Sequence, residues 1–320
     1  MSLLELSLDT THEAVDWVCT LLAETIDMDD VQIAKYDTQN LSDLDVNAPW
    51  SFTIRLYVPY DVHARVRMEK IVNLLSSLHR TGLTTAIQTT VVEEKFSGAD
   101  ISNPLVHRIG KRFVVLAADA NYQSEAADEV ILRLKTTPAF GSGLHPATIL
   151  TLKLLERYIV PQMNVLDLGS GSGILSVAIA KLGATVLALD NDSIAVQATQ
   201  DSVQRNGVAQ QVTVIQGSLG CGSDLGHWMG GDIIDNVSKI EPQETFDLIV
   251  ANILARVHIA LAEDYRRSLR HTDTHSGLLI TAGFTSDREE DIVTALTEIG
   301  FEVIDCERLN EWVALVYRLT

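Results

Sequence analysis

The chain has 320 residues, 46% of them hydrophobic, and its 24 basic and 43 acidic side chains leave a formal net charge of −19. That length favours two domains on the usual scale of roughly 100 to 200 residues each, with apolar content ample for a core in both. So acidic a chain is repelled by bare nucleic acid, whose binding depends on phosphate neutralisation, and attracts basic proteins instead.

Leu4, Leu6 and Leu8 alternate with polar residues, the period of a half-buried strand, and Ala14, Val15, Val18, Leu21, Leu22 and Ile26 then follow helical spacing. Residues 31–36 and 51–58 read as strands, the second placing Phe52, Ile54, Leu56 and Val58 on one face. Met68, Ile71, Val72, Leu75 and Leu78 form another helical stripe, and 84–92 is rich in β-formers. The order βαββαβ predicts a ferredoxin-like α+β domain over residues 1–94. Residues 95–137 form a connector with strand-like pieces at 112–117 and 129–134.

Over residues 138–320 the pattern becomes regular βα alternation. Strands are predicted at 164–168, 184–189, 211–216, 246–251, 276–282, 301–307 and 311–319, with helices near 147–158, 174–182, 192–206, 254–270 and 286–299. The last two strands are joined by only Arg308-Leu309-Asn310, which permits an antiparallel hairpin but not a parallel crossover. A mostly parallel seven-stranded α/β sheet ending in such a hairpin is the class I methyltransferase (Rossmann-like) arrangement. A Gly-rich insert, 217–231, interrupts the alternation.

The stretch Asn164-Val165-Leu166-Asp167-Leu168-Gly169-Ser170-Gly171-Ser172-Gly173 is the most informative in the chain. A strand, a Gly-rich turn and a helix in succession let a backbone approach a nucleotide-like ligand. The Gly-x-Gly-x-Gly spacing suits S-adenosylmethionine (AdoMet) better than a dinucleotide, and Asp167 suits a cationic sulfonium better than a polyphosphate. Asp190, about twenty residues on and at the next strand end, is placed to accept ribose hydroxyls. Asn191 and Asp192 follow it; Asp192 reads as the N-cap of the next helix, and Asp190 itself has capping as its alternative. Asn252 falls at the end of a later strand, where an amide can accept hydrogen bonds from an amine, or serve only as a turn residue.

Residues 139–148, Ala-Phe-Gly-Ser-Gly-Leu-His-Pro-Ala-Thr, are similar to the AFGTGTHPTT loop of the bacterial ribosomal protein L-eleven methyltransferase family (PrmA). So are VLDLGSGSGILSVAIAKLGA, LALDNDSIAVQAT with its following QRNGV, VANILA at 250–255 and the terminal NEWVALVYRL, in the same order over 138–320. The resemblance implies an N-terminal domain that recognises the substrate protein. It also implies cofactor contacts at Thr148, Gly169, Asp190 and Asn252, to which Phe140, Gly143, Gly171, Asn191 and Ser218 are added as candidates. Asn252 and His145 are the candidate catalytic residues, His145 serving either as a base near neutrality or as a shaper of its loop. Ser142, Leu144 and Ala147 replace three family threonines, Thr136-Thr137-Pro138 replaces an Asp-Pro-Gly-like turn, and the family's Trp-rich segment has no counterpart in 93–113.

The implied activity is methyl transfer from AdoMet to lysine side chains, and to the N-terminal amine, of a basic large-subunit ribosomal protein. The alternatives are another protein or a small molecule as acceptor, or a non-catalytic AdoMet-binding protein on the same fold. Cys19, Cys221 and Cys306 are scattered and form no metal-like pair, no apolar run approaches the roughly 18 residues of a membrane span, and MSLLELSLDTTHE lacks a basic region before its apolar residues. These features predict a cytoplasmic protein with no resident metal and no membrane or direct nucleic-acid contact, and a monomer is the favoured state.

Overall fold

The computed structural model describes residues 2–23, 25–36, 49–95, 106–118, 120–135, 143–220, 238–241, 243–272 and 275–320. They divide into two compact units: Met1–Arg108 with Val114–Ala127 and Arg133–His145, and Ile109–Phe113 with Asp128–Leu132 and Pro146–Thr320.

The first unit contains β1 (Leu3–Thr10), α1 (Ala14–Leu22), β2 (Val31–Lys35), β3 (Phe52–Pro59), α2 (Ala64–Arg80) and β4 (Gln88–Val92). Its strands form an antiparallel sheet in the order β2-β3-β1-β4. The period-two leucines of β1 face their cross-strand partners, Leu6 opposite Leu56 and Leu8 opposite Ile54. Val15, Val18 and Leu22 of α1 and Ile71 and Leu75 of α2 close one core over them, which Leu144 also joins. A three-stranded sheet follows, β5 (Val106–Ile109), β6 (Phe113–Ala117) and β7 (Val130–Leu134). Its first strand has no apolar alternation, and the sequence pattern does not announce it.

The second unit continues with α3 (Pro146–Tyr158), β8 (Asn164–Leu168), α4 (Ile174–Lys181), β9 (Thr185–Asp190), α5 (Ser193–Arg205), β10 (Val212–Leu219), β11 (Ser238–Ile240), β12 (Leu248–Asn252), α6 (Ala255–Ala260) and α7 (Ala262–Ser268). A two-residue ladder, β13 (His271–Thr272) with β14 (His275–Ser276), leads into β15 (Leu278–Thr285), α8 (Glu289–Thr297), β16 (Phe301–Leu309) and β17 (Trp312–Leu319). The sheet has eight strands in the order β11-β10-β9-β8-β12-β15-β17-β16. β8 to β12 and β15 run parallel, while β17 and β16 return antiparallel. The closing hairpin turns at Asn310, whose φ of 54 is a left-handed value that Asn tolerates. Two details depart from the seven-strand reading. Short β11 adds an edge beside β10, beyond residues 221–237, which include most of the insert and lie outside the described residues. The helix expected over 254–270 bends at Leu261 into α6 and α7, which keeps Leu261, Tyr265 and Leu269 all buried.

Chain order reverses between β8 and β12: β9 and β10 add on one side of β8, β12 and β15 on the other. In open parallel sheets, ligands bind outside the carboxyl ends of the strands at such a switch point.

Candidate active site

The β8–α4 turn sits at that point. Gly169, Gly171 and Gly173 have φ values of 74, 55 and 79, a region other residues enter only with strain. Two of these glycines also answer to the chain's own packing. A Cβ on Gly169 would stand 2.6 Å from Ile253 Cγ2, and one on Gly173 would stand 2.8 Å from Thr199 Cα. The glycine spacing therefore serves the approach of β12 and α5 as well as any ligand. The N–H groups of Gly169 and Ser170 donate to the Leu189 carbonyl at 2.8 and 3.0 Å, and the Thr199 hydroxyl donates to the Gly171 carbonyl at 3.0 Å.

Asp190, ending β9, is oriented by backbone. Gly171 N–H donates to Oδ2 at 2.9 Å and Asp192 N–H to Oδ1 at 3.0 Å, so the carboxylate braces the turn. Asp192 is the N-cap of α5, its side chain accepting from Ile194 N–H at 2.8 Å. The neighbouring acids thus divide their duties. The Asn191 carbonyl accepts from the Gln216 side chain at 3.2 Å. Asp167, beneath the turn, is wholly buried, and burial pushes its pKa from 3.8 to about 6, against a hydrogen bond from Ser176 that pulls it down and with the charge of Asp190 adding to the rise.

On the other side of the switch, Asn252 ends β12 and donates through Nδ2 to Thr148 Oγ1 of α3 at 3.3 Å. Two residues singled out separately in the sequence are thereby neighbours. Ile253 follows in a tight place: its N–H donates to the Ala282 carbonyl at 3.0 Å, and a Cβ on Gly283 would stand 2.5 Å from its carbonyl oxygen. A glycine inside the apolar strand LLITAGFT was the available sequence signal for such a close approach.

Ser218 lies near the end of β10, buried, its hydroxyl without a hydrogen-bond partner among the described residues. Gly143 has φ 80 and belongs, with His145, to the first unit. His145 is buried and its pKa falls to about 3, chiefly through desolvation, with the charge of His12 adding to the drop. Phe140 lies outside the described residues.

These residues fit a ligand with a cationic centre and a diol. Asp167 Oδ1 is buried without a hydrogen-bond partner among the described residues, and the turn above it carries no β-carbon at three alternate positions. The Asp190 carboxylate, held by backbone N–H groups of Gly171 and Asp192, is an acceptor of the kind that a ribose diol requires.

Similarity to known proteins identifies the family. Residues 2–320 match the family model described as ribosomal protein L11 methyltransferase (PrmA). A ribosomal protein L11 methyltransferase of Chloroflexus aurantiacus is 40% identical over 99% of this chain and 98% of its own length. One from Herpetosiphon aurantiacus is 36% identical over 99% of both. A crystal structure of a ribosomal protein L11 methylase from Lactobacillus delbrueckii subsp. bulgaricus superposes with a TM-score of 0.55 at 28% identity, covering 67% of this chain and 98% of that one. The Rossmann-like sheet is that of the class I AdoMet-dependent methyltransferases, and the chain belongs to the ribosomal protein L11 methyltransferase (PrmA) family.

Proposed function

We propose that this protein transfers methyl groups from AdoMet to the lysine side-chain amines, and to the N-terminal amine, of ribosomal protein L11. The observation that carries the reading is the convergence, at the sheet's switch point, of the braced Gly169–Asp190 turn and the Thr148–Asn252 pair. The names and reach of the relatives support the acceptor. The charge of −19 supports attraction to a basic ribosomal protein in the cytoplasm, and residues 1–94 are the proposed recognition domain.

When bound, AdoMet supplies a methyl group on a sulfonium that needs no acid assistance to leave. In this reading Gly169, Gly171 and Thr148 would line its place, Asp190 would accept the ribose hydroxyls, and Asp167 would offer a counter-charge from beneath. Ser218 would hold the adenine end. The remaining task is to present an amine with a free lone pair. A lysine in water has a pKa near 10.4, so almost none of it is neutral at pH 7. An apolar, water-excluding site lowers that value, and Asn252 then orients the neutral amine through its carbonyl oxygen. His145 shapes its loop rather than taking the proton: burial holds it neutral and makes it a weak base at physiological pH.

Calorimetric titration with AdoMet, followed by incubation of the protein with labelled AdoMet and whole-cell extract, tests the proposal. Label on lysines or the amino terminus of L11 is the expected result. Absence of binding at high micromolar cofactor overturns the cofactor assignment, and label on another protein or on a small molecule overturns the acceptor.

A further inference from the structure

One buried polar cluster lies beside the site and takes no part in the roles assigned so far. His258 of α6 is fully buried, and so is Tyr265 of α7. The His258 Nε2 lies 2.9 Å from the Ala282 carbonyl oxygen, and the Tyr265 hydroxyl lies 3.3 Å from Nδ1. A carbonyl can only accept, so Nε2 carries the proton; the bare Nδ1 then accepts from the Tyr265 O–H. The ring packs edge-on against Phe284 at 5.6 Å. Every polar atom of the imidazole is therefore satisfied, which a buried ring requires.

The carbonyl it holds is the one that positions the site. Ala282 sits opposite Asn252 in the β12–β15 ladder, and its oxygen also receives the Ile253 N–H at 3.0 Å. The β15–β17 pairing shifts register between Thr281 and Phe284, so the backbone at 282–283 is released from its other neighbour. Gly283, at φ 90, then passes beneath Ile253 with no room for a β-carbon. Ile253 has Gly169 against its side chain. The bulge carbonyl thus determines where the Asn252–Ile253 backbone lies, and the bulge, lacking ladder bonds on one side, takes its fixation from His258.

We infer that His258, oriented by Tyr265, is a positioning residue for methyl transfer, acting through the Ala282 carbonyl on Asn252 and Ile253. This rests on the AdoMet-dependent reading above. The chemistry asks for a neutral imidazole of one fixed tautomer, and burial supplies it by lowering the pKa to about 4 against the raising effect of the Ala282 and Ile253 carbonyls.

The test compares His258→Leu, His258→Gln and Tyr265→Phe. His258→Leu removes the donor at nearly constant volume; glutamine can both donate to Ala282 and accept from Tyr265. A misplaced site residue costs on the order of a hundredfold, so kcat in His258→Leu should fall by about ten- to a hundredfold with KM for the protein acceptor nearly unchanged. His258→Gln should recover most of the loss, and Tyr265→Phe should lie between. AdoMet affinity by calorimetry is a readout independent of turnover and should weaken in the same order. In wild type, 15N shifts of the His258 ring should show a single Nε2–H tautomer from pH 5.5 to 8. Folded variants with unchanged kcat and affinity, a glutamine no better than leucine, or a tautomer-averaged ring would each overturn the inference. If His258→Leu does not fold, Tyr265→Phe and the glutamine variant decide it. A wild-type protein that binds no AdoMet but shows the fixed tautomer would instead sink the cofactor reading and leave the clamp standing.

Discussion

Two strand-to-helix turns adjoin at the carboxyl edge of the large sheet, and they are built differently. The turn after β8 uses three glycines at left-handed φ, and its partners lie in the adjacent β9 end and α5. The turn after β12 reads Asn252-Ile253-Leu254, with ordinary side chains, and is held from outside: Ala282 receives its N–H, and Gly169 and Gly283 make room for Ile253. In the first turn, backbone freedom is written into the turn itself. In the second, it is written into the first turn and into β15. A change at Gly169 therefore breaks both turns, and that is the largest effect expected.

In Gly169→Ala the new Cβ adopts a disfavoured φ of 74 and meets Ile253 Cγ2 at 2.6 Å. The left-handed penalty of roughly 1–2 kcal/mol and the overpacking of similar or larger size together predict a loss of about 4 kcal/mol, with AdoMet binding abolished. Gly207→Ala is the control, because Gly207 has φ 70 but nothing within 4 Å of its added Cβ. It should lose only the conformational part, about 1–2 kcal/mol. Urea melts of both variants measure this; equal losses would show that contact with Ile253 is irrelevant and that the two turns are independent.

Asp167 gives the next effect, through pH. Its folded-state pKa of about 6 stands above the unfolded 3.8, so the native state holds the proton more tightly. The associated stability is fully present below the unfolded value and is lost as pH rises through about 6. Asp167→Asn removes this dependence. Relative to wild type the variant should gain about 3 kcal/mol between pH 3.8 and neutrality, level off above that, and bind AdoMet more weakly. Denaturant midpoints across this range, taken as variant minus wild type, read the change directly. A flat difference would mean that Asp167 is not held protonated beneath the turn. A cationic ligand should also draw the proton off, so wild-type affinity should rise with pH through about 6.

The contrast between the turns also explains what could be read in advance. Gly169, Gly171 and Gly173 followed a recognisable strand, and the alternation of βα elements located the sheet because central strands are buried on both faces and read as apolar runs. The closing hairpin followed from a connection too short for a crossover. Short β11 was illegible: three residues beside a Gly-rich insert carry no periodicity, and its pairing is supplied by β10. The bend at Leu261 was hidden because the apolar stripe runs on through it. In the site, Asn252 and Thr148 were visible individually, but their proximity is a tertiary fact, since they stand 104 positions apart in the chain. His258 looked like one histidine among nine, since its meaning lies in Ala282 and Tyr265.

Asp190→Asn tests the bracing of the glycine turn. One carboxylate oxygen becomes an NH2 facing a backbone N–H of Gly171 or Asp192, so a hydrogen bond is lost and a donor is left opposed. The expected cost is about 2 kcal/mol of stability, accompanied by a large loss of AdoMet affinity. Asn252→Ala, in the other turn, should leave the melting curve nearly in place, since the Thr148 contact at 3.3 Å is long, while lowering kcat. Calorimetric binding and thermal melting of this pair separate the turn that supports the fold from the turn that presents a side chain. A stable Asp190→Asn variant with wild-type affinity would remove Asp190 from the proposed cofactor site.

The smallest effect concerns the acid two residues further on. Asp192 caps α5 through Ile194 N–H at 2.8 Å, and its extended φ and ψ of −88 and 122 are those of a helix N-cap. Asp192→Ala should cost about 1 kcal/mol, the usual value of a lost cap, and Asp192→Asn only a fraction of that. AdoMet affinity should stay within about twofold in both, because the Asp192 N–H that holds Asp190 belongs to the backbone and survives the substitution. If Asp192→Ala instead lost cofactor binding as severely as Asp190→Asn, the division of labour between the two carboxylates would be wrong. Asp192 would then have to be counted among the ligand's own contacts, and the first turn would owe its function to a side chain as much as the second.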